Sequence, residues 1–196
     1  MVDLSELFGE GWCMTLAHLA PAQALKSMGV RDVTDVTDGL QLATERLEAD
    51  GTPSDVLLLG RELRDGWSLI VELEGTQGWA GMDRAVLEAL SASGRVAASA
   101  FEDPNQLMVH VAADGQVVCE LDAVTGRLPY AAADTEQTVE GLLSLGFSRG
   151  DEPTGQVAAV DAADRVVLAL RAVTGVELQE EDFEGSWLGG LSAAGR

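Results

Sequence analysis

The sequence predicts an α+β fold in which an antiparallel β-meander sheet has helices packed on one side. Three observations predict this fold class. The 196 residues are 46% hydrophobic, enough for a substantial core. The middle of the chain holds apolar strand-like segments joined by short turns, which make neighbouring strands antiparallel. Helical periodicity is strongest towards the two ends. We expect one domain over residues 1–196, with 189–196 as a flexible glycine-rich tail.

The N-terminal part is predicted to hold one strand and two helices. Residues 11–19 are dense enough in apolar side chains to form a strand that is covered on both faces. Pro21 suits the first turn of a helix that Gly29 ends as a left-handed cap. Leucine and alanine at helical spacing then predict a second helix over 40–49.

The central segments are predicted to form the sheet. Asp65-Gly66 and Asp114-Gly115 favour tight hairpins, because both residues of a type I′ turn need positive φ. In chain order, the predicted strands are 55–63, 67–74, a short one at 75–79, 95–102, 107–113 and 116–122, with a helix over 82–90 after the short strand.

The last third is predicted to be helical. Helices are expected over 134–145 and 156–174, followed by a short turn at 179–184. The sequence contains neither a GxGxxG nor a GxxxxGK[ST] motif, so no loop for a nucleotide phosphate is predicted.

The charge of the chain excludes several classes of partner. There are 33 acidic and 12 basic residues, which give a formal net charge of −21. Nucleic-acid binders need clustered lysine and arginine, so direct nucleic-acid binding is not expected, and neither is an anionic membrane surface. No apolar run reaches the roughly 18 to 20 residues that span a bilayer. Because the first residues lack the basic segment of a signal peptide, we expect a cytoplasmic protein.

The cysteines and histidines do not form a recognisable reactive motif. Cys13 and Cys119 are expected to be buried thiols, too few for a disulfide framework. His18 and His110 lie in predicted strands, where a structural role is favoured over that of a general base or metal ligand. We therefore predict no catalytic residue, no metal ligand and no cofactor.

Carboxylates are the abundant reactive groups. Glu72 and Glu74 share one face of a predicted strand, and Glu120 and Asp122 share one face of another. If the strands align, these four acids form a cluster on the outer face of the sheet. The cluster is interpreted as a solvated face, as a surface for a basic partner, or as a site for a hard cation or acid/base chemistry.

Two further features are candidates for partner binding. Trp67 and Trp79 each follow a glycine near a predicted strand end, a position that suits either core packing or an interface anchor. Glu180, Glu181 and Asp182 begin a short helical turn, where they favour its dipole, and as a patch they could contact arginines.

Several segments resemble an uncharacterised actinobacterial family, one of the domains of unknown function common in streptomycetes. The resemblance lies mainly in Phe8-Gly-Glu-Gly-Trp-Cys-Met-Thr15 and Asp65-Gly-Trp67, and it covers about residues 7–190. The resemblance implies a cytoplasmic bacterial accessory protein and supplies no catalytic residues.

These observations favour a non-enzymatic interaction module. The leading hypothesis is an immunity-type or inhibitor protein that binds a basic protein partner, for example a toxin, because complementary charge accelerates encounter. The alternative is a small-molecule or divalent-metal-dependent enzyme or ligand-binding domain that uses the carboxylate-rich sheet face. A third hypothesis is mimicry of DNA by the acidic surface.

Overall fold

The computed structural model describes residues 2, 4–9, 11–50, 55–73, 78–132, 136–150 and 152–193, and one sheet organises them. Its strands are β1 (Trp12–Ala17), β2 (Thr34–Val36), β3 (Asp55–Glu62), β4 (Ser68–Glu72), β5 (Val96–Asp103), β6 (Gln106–Ala113), β7 (Gln116–Asp122), β8 (Arg127–Ala131) and β9 (Trp187–Ala193). The helices are α1 (Leu4–Phe8), α2 (Pro21–Ser27), α3 (Gly39–Asp50), α4 (Arg84–Ser91), α5 (Glu136–Leu145), α6 (Gly155–Ala158) and α7 (Ala162–Thr174).

The strand order is β2-β9-β3-β4-β1-β5-β6-β7-β8, and every pairing is antiparallel. The predicted α+β class with an antiparallel sheet is therefore confirmed. The meander is continuous only from β5 to β8. The first strand of the chain, β1, lies between β4 and β5, so the middle of the sheet depends on pairing between residues far apart in sequence.

The turn chemistry read from the sequence is confirmed at both Asp-Gly pairs. In the β3–β4 hairpin, Asp65 and Gly66 have φ of 57° and 76°, and the N–H of Trp67 donates to the carbonyl of Arg64 at 3.2 Å. Asp114 and Gly115 also have positive φ, 48° and 77°. The two Asp-Gly turns therefore set the pairing register of the two hairpins.

Among the elements that were not predicted are three short ones, and one predicted helix is divided. The elements are α1, β2 and β8. The helix expected over 156–174 is two helices, because Asp161 caps a new start by accepting the N–H of Asp164 at 2.9 Å. The short strand expected at 75–79 lies mostly outside the described residues, and Gly78 and Trp79 are not in a strand.

The expected flexible tail at 189–196 is wrong as far as Ala193. Residues 187–193 form β9, which pairs with β2 on one side and β3 on the other. Its glycines are needed for packing rather than for mobility. A Cβ on Gly190 would lie 2.5 Å from Cγ1 of Val30 and would also meet the carbonyl oxygen of Asp32.

Helices cover both faces of the sheet rather than the one side expected. Residues of α3, α5 and α7 join the larger core with Trp12, Met14 and Leu16 of β1. Residues of α2 and α4 join a second core with Ala17. The central strands β1 and β4 are buried along their whole length, and such strands need cover on both faces. In the described part of the chain, no helix has the length and apolarity needed to cross a membrane.

Gly190→Ala is expected to destabilise the fold by about 1 to 3 kcal/mol, because backbone of the 30–32 segment must move to admit the methyl group. Urea unfolding monitored by tryptophan fluorescence measures this. Gly150→Ala is the matched control, because a Cβ there meets nothing within 4 Å. An equal effect of the two substitutions would contradict the packing explanation.

Candidate functional site

A buried carboxylate lies at the middle of the sheet. Glu72, the last residue of β4, is 1% exposed. Its two oxygens accept the backbone N–H groups of Ala80 and Gly81 at 2.7 and 2.8 Å. Ala80 and Gly81 belong to a 3-10 turn, Ala80–Met82, that immediately precedes α4. One side chain therefore ties the turn to the sheet.

Polar side chains of the next two strands complete this site. Cys13 of β1 is the register partner of Glu72 and is fully buried. Its sulfur lies 3.3 Å from the hydroxyl of Ser99 on β5. The hydroxyl of Thr15 donates to the same Ser99 oxygen at 3.1 Å. We call Glu72, Cys13, Thr15 and Ser99 the buried polar cluster.

The turn that covers the cluster needs glycine at position 81. A Cβ on Gly81 would lie 2.7 Å from the Ser99 hydroxyl and 2.9 Å from the Cys13 sulfur, and it would also meet the Thr15 hydroxyl. Only a residue without a side chain lets the backbone approach closely enough to donate to Glu72. Around the cluster, Trp79, Phe101 and Cys13 form a small apolar core with Met82 and Met108 packed against it.

Burial controls the protonation of the cluster. Desolvation raises the pKa of Glu72 to about 7, against the opposing effect of hydrogen bonds from Gly81, Ala80 and the Cys13 thiol. Desolvation and the neighbouring Glu72 raise the pKa of the Cys13 thiol well above its ordinary value. Cys13 is thus a neutral thiol, not a thiolate nucleophile. Because Glu72 and Cys13 are both covered, substrate does not reach them in this conformation.

His110 lies beside the cluster on β6. It is the register partner of Ser99 on one side and of Glu120 on the other, and its ring meets Phe101 edge-on with centroids 5.3 Å apart. Burial lowers the pKa of His110, while Glu120 acts in the opposite direction. At neutral pH this imidazole is largely uncharged. His18 is exposed, beyond the end of β1, and stacks on Trp67 with centroids 5.2 Å apart.

The four acids expected to share the outer face do not form a cluster. Glu72 is buried, and β1, β5 and β6 separate its strand from Glu120 and Asp122 on β7. Glu74 lies outside the described residues. Glu120 and Asp122 are half-buried, and the carboxylate of Asp122 accepts the N–H and hydroxyl of Thr125 at 3.1 and 2.7 Å.

The two candidate tryptophans differ in environment. Trp79 is 8% exposed and belongs to the small core over Cys13. Trp67 is half-buried in the β3–β4 hairpin. A third tryptophan, Trp12, is buried and donates its indole N–H to Glu102 at 2.7 Å. Only Trp67 therefore offers part of its ring to solvent.

The acidic residues at 180–182 lie against that hairpin. Arg64 contacts the carboxylate of Asp182 at 2.7 Å, and the same carboxylate accepts the N–H of Gln179 at 2.8 Å. Glu180 and Glu181 are exposed. We call Asp65, Trp67, Glu180, Glu181 and Asp182 the acid end of the sheet. Four of these five residues, all except Asp65, were predicted as candidates for partner binding. The acids at 180–182 are far from Trp67 in sequence, and the Arg64–Asp182 pair brings the two segments together.

The residues described include no group of three or more histidine, cysteine or acidic side chains placed to hold a metal ion. Two of the surface grooves are formed by residues of the helices and of the β7–β8 turn. The larger, about 360 Å³, lies among α5, α6 and α7 and includes Ser144, Gln156 and Arg171. The smaller, about 280 Å³, lies by the β7–β8 turn between Arg127 and Arg165. Neither groove adjoins the buried polar cluster.

Comparison with protein families matches residues 3–187 to a family of unknown function, DUF6461. The chain belongs to the DUF6461 family. The predicted resemblance to a domain of unknown function that spans most of the chain is therefore confirmed. No curated protein and no solved structure matches this DUF6461 chain. The contacts described above are thus the basis for assigning a function.

Sequence reasoning missed the buried polar cluster, although a signal for it was present. Glu72 interrupts the apolar run Leu69-Ile-Val-Glu-Leu73, which is too apolar for a strand with one solvated face. A carboxylate inside such a run has to find hydrogen-bond donors in the interior. The identity of those donors depends on the path of the 78–83 segment, which periodicity does not specify.

The free energy of unfolding is expected to fall as the pH rises from about 4.5 to 7. The folded-state pKa of Glu72 is raised from 4.5 to about 7, so the folded chain binds a proton that the unfolded chain has already lost. The contribution of Glu72 to the free energy of unfolding is fully present below pH 4.5 and is lost as the pH rises through about 7. The total loss is about 3 kcal/mol.

Urea unfolding at several pH values measures this effect. Glu72→Gln removes the titration, so the difference in unfolding free energy between wild type and variant should change across this window and then level off. A difference that is constant from pH 4.5 to 7.5 would show that Glu72 titrates normally.

Proposed function

We propose that this DUF6461 chain is a non-enzymatic interaction module of the immunity or inhibitor type, and that a basic protein partner docks at its acid end. The observation that carries the proposal is the joining of exposed acids and a half-exposed tryptophan at one end of the sheet. Aromatic anchors beside charged groups are typical of interface hot spots.

The charge balance supports a basic partner. With 33 acids, 12 bases and a formal net charge of −21, at least 21 acids have no lysine or arginine to pair with one to one. The ion pairs seen among the described residues, such as Arg84–Glu88 and Arg171–Glu177, lie on the surface and contribute little to stability. Negative potential of this size speeds encounter with a positive surface and disfavours acidic competitors.

The geometry of the acid end also supports docking. Arg64 holds Asp182 next to the hairpin, and Arg61 donates to the carbonyl of Glu184 while its guanidinium lies over the Trp187 ring, 5.3 Å from the centroid. These two arginines fix the backbone that presents Glu180 and Glu181. A rigid presentation reduces the entropy lost on binding.

The alternative of a small-molecule or divalent-metal-dependent enzyme or ligand-binding domain was based on four acids on one sheet face. Glu72 is covered, and three strands lie between its strand and that of Glu120 and Asp122, which counts against this set of ligands. We therefore favour binding over catalysis. A rise in melting temperature with Mg²⁺, Ca²⁺ or Mn²⁺ would instead favour the enzyme.

We also propose a cytoplasmic location in a high-GC actinobacterium. Cys13 and Cys119 are both free and buried, which suits a reducing compartment. The eleven arginines against one lysine support the genomic assignment.

Glu180→Lys/Glu181→Lys is expected to weaken partner binding at least tenfold, because it places two cations where the partner's basic groups dock. The partner is first isolated by co-purification from the source cells at low salt and is then titrated by calorimetry. Glu45→Lys/Glu140→Lys, on the exposed faces of α3 and α5, is the control with the same net charge.

The control variant separates a specific site from general attraction. It should lose much less affinity than the variant at the acid end. Equal losses would contradict docking at the acid end. Failure to recover a stoichiometric basic protein at either low or high salt would contradict the interaction hypothesis itself.

A further inference from the structure

The turn over the buried polar cluster is attached to the sheet in an unusual way. Its own hydrogen bonds are local, from Met82 N–H to the carbonyl of Trp79 at 3.1 Å and from Asp83 N–H to that of Ala80 at 3.1 Å. Its polar attachment to β4 is the pair of bonds from Ala80 and Gly81 to Glu72. The protonation state of this one carboxylate therefore affects whether the turn remains packed against the sheet.

Beneath the turn lie groups that could interact with a ligand if they were uncovered. Cys13, Thr15 and Ser99 are all fully buried, and the three side chains hydrogen bond to one another through the Ser99 hydroxyl. The backbone at Gly81 covers them directly, since an added Cβ would meet all three. Displacement of the turn, together with Trp79 and Met82, would uncover a thiol, two hydroxyls and a carboxylate.

We propose that the Trp79–Met82 turn is a cover whose opening is driven by ionisation of Glu72, and that opening exposes the Cys13 thiol. The opening is local, because the turn lies outside the sheet and its removal breaks none of the strand pairings. This proposal concerns a different part of the molecule from the acid end and does not depend on the partner.

The direction of the pH dependence follows from hydration. In the closed form, desolvation raises the pKa of Glu72 from 4.5 to about 7. In the open form water reaches the carboxylate, and its pKa returns towards the ordinary value. The equilibrium constant for opening therefore rises about tenfold per pH unit between these values and levels off above the upper one.

The neighbouring groups do not reverse this behaviour. Cys13 on β1 is a neutral thiol. The other groups around Glu72 carry no charge; they are Leu58 on β3, Ser99 and Phe101 on β5, and the residues of the turn. His110 on β6 lies beyond Ser99, with a lowered pKa that keeps it largely neutral above pH 6.5. Asp83 and Arg84, at the start of α4, are exposed to solvent. Within the buried polar cluster, Glu72 is thus the group whose charge changes between pH 4.5 and 7.

The test is native-state labelling of the full chain with iodoacetamide between pH 5 and 8.5, with Cys13 and Cys119 quantified separately by peptide mass spectrometry. Each rate is divided by the rate for the urea-unfolded chain at the same pH, which removes the intrinsic thiol titration. Cys119 is also fully buried, but it belongs to the larger core on the other face and reports general unfolding.

We expect the normalised Cys13 rate to exceed that of Cys119 and to rise about 40-fold between pH 5 and 7, then to level off by about pH 8. In Glu72→Gln the Cys13 profile should be flat. Equal normalised rates for the two cysteines would mean that only global unfolding exposes them, and a flat wild-type profile would exclude Glu72 as the controlling group. Either result overturns the proposal.

A second measurement applies to the wild type alone, in case Glu72→Gln does not fold. The amide protons of Ala80 and Gly81 should lose protection against hydrogen exchange over the same pH range. The amide of Val71, in the buried strand β4, should retain higher protection than either. Equal protection at all three positions would contradict local opening.

Discussion

The central constraint on this molecule is a carboxylate held in the interior by two backbone N–H groups rather than by a cation. Burying a carboxylate is costly, and hydrogen bonds from donors that are already aligned offset part of that cost. The need of the Glu72 carboxylate for these two donors also determines the surrounding structure. It brings the 3-10 turn against the sheet, demands glycine at position 81 and places Trp79 over Cys13. The start of α4 follows from the path of that turn.

The acidic surface is organised by a few arginines that serve the fold. Arg64 and Arg61 both hold the segment before β9, and Arg165 donates to the carbonyls of Ala123, Val124 and Val157. Guanidinium groups suit this work because several donors lie in one plane. Because these arginines bind backbone carbonyls and Asp182, they neutralise few of the acidic side chains. Most of the negative charge therefore remains on the surface, where it favours solubility and the selection of a basic partner.

Sequence reasoning succeeded where the information is local. Period-two and period-3.6 patterns identified the strands from β3 to β7 and the helices α2, α3, α4 and α5, and the Asp-Gly pairs identified the hairpins. It failed at β2, β8 and β9, which are short or glycine-rich and become strands through the neighbours they pair with. For the site, Trp67 and the acids at 180–182 were identified separately. The burial of Glu72 was missed because helices were expected on only one face of the sheet, which left the face of Glu72 open to solvent.

By itself, the sequence determined the α+β class, the antiparallel hairpins and the strongly negative charge, because these depend on composition and on residues a few positions apart. Only the tertiary structure decided that β1 pairs between β4 and β5, that β9 completes the sheet, and that helices cover both faces. Those choices depend on burying the apolar faces of distant segments against one another. The same choices make Glu72 an interior group and leave Glu180 and Glu181 on the surface.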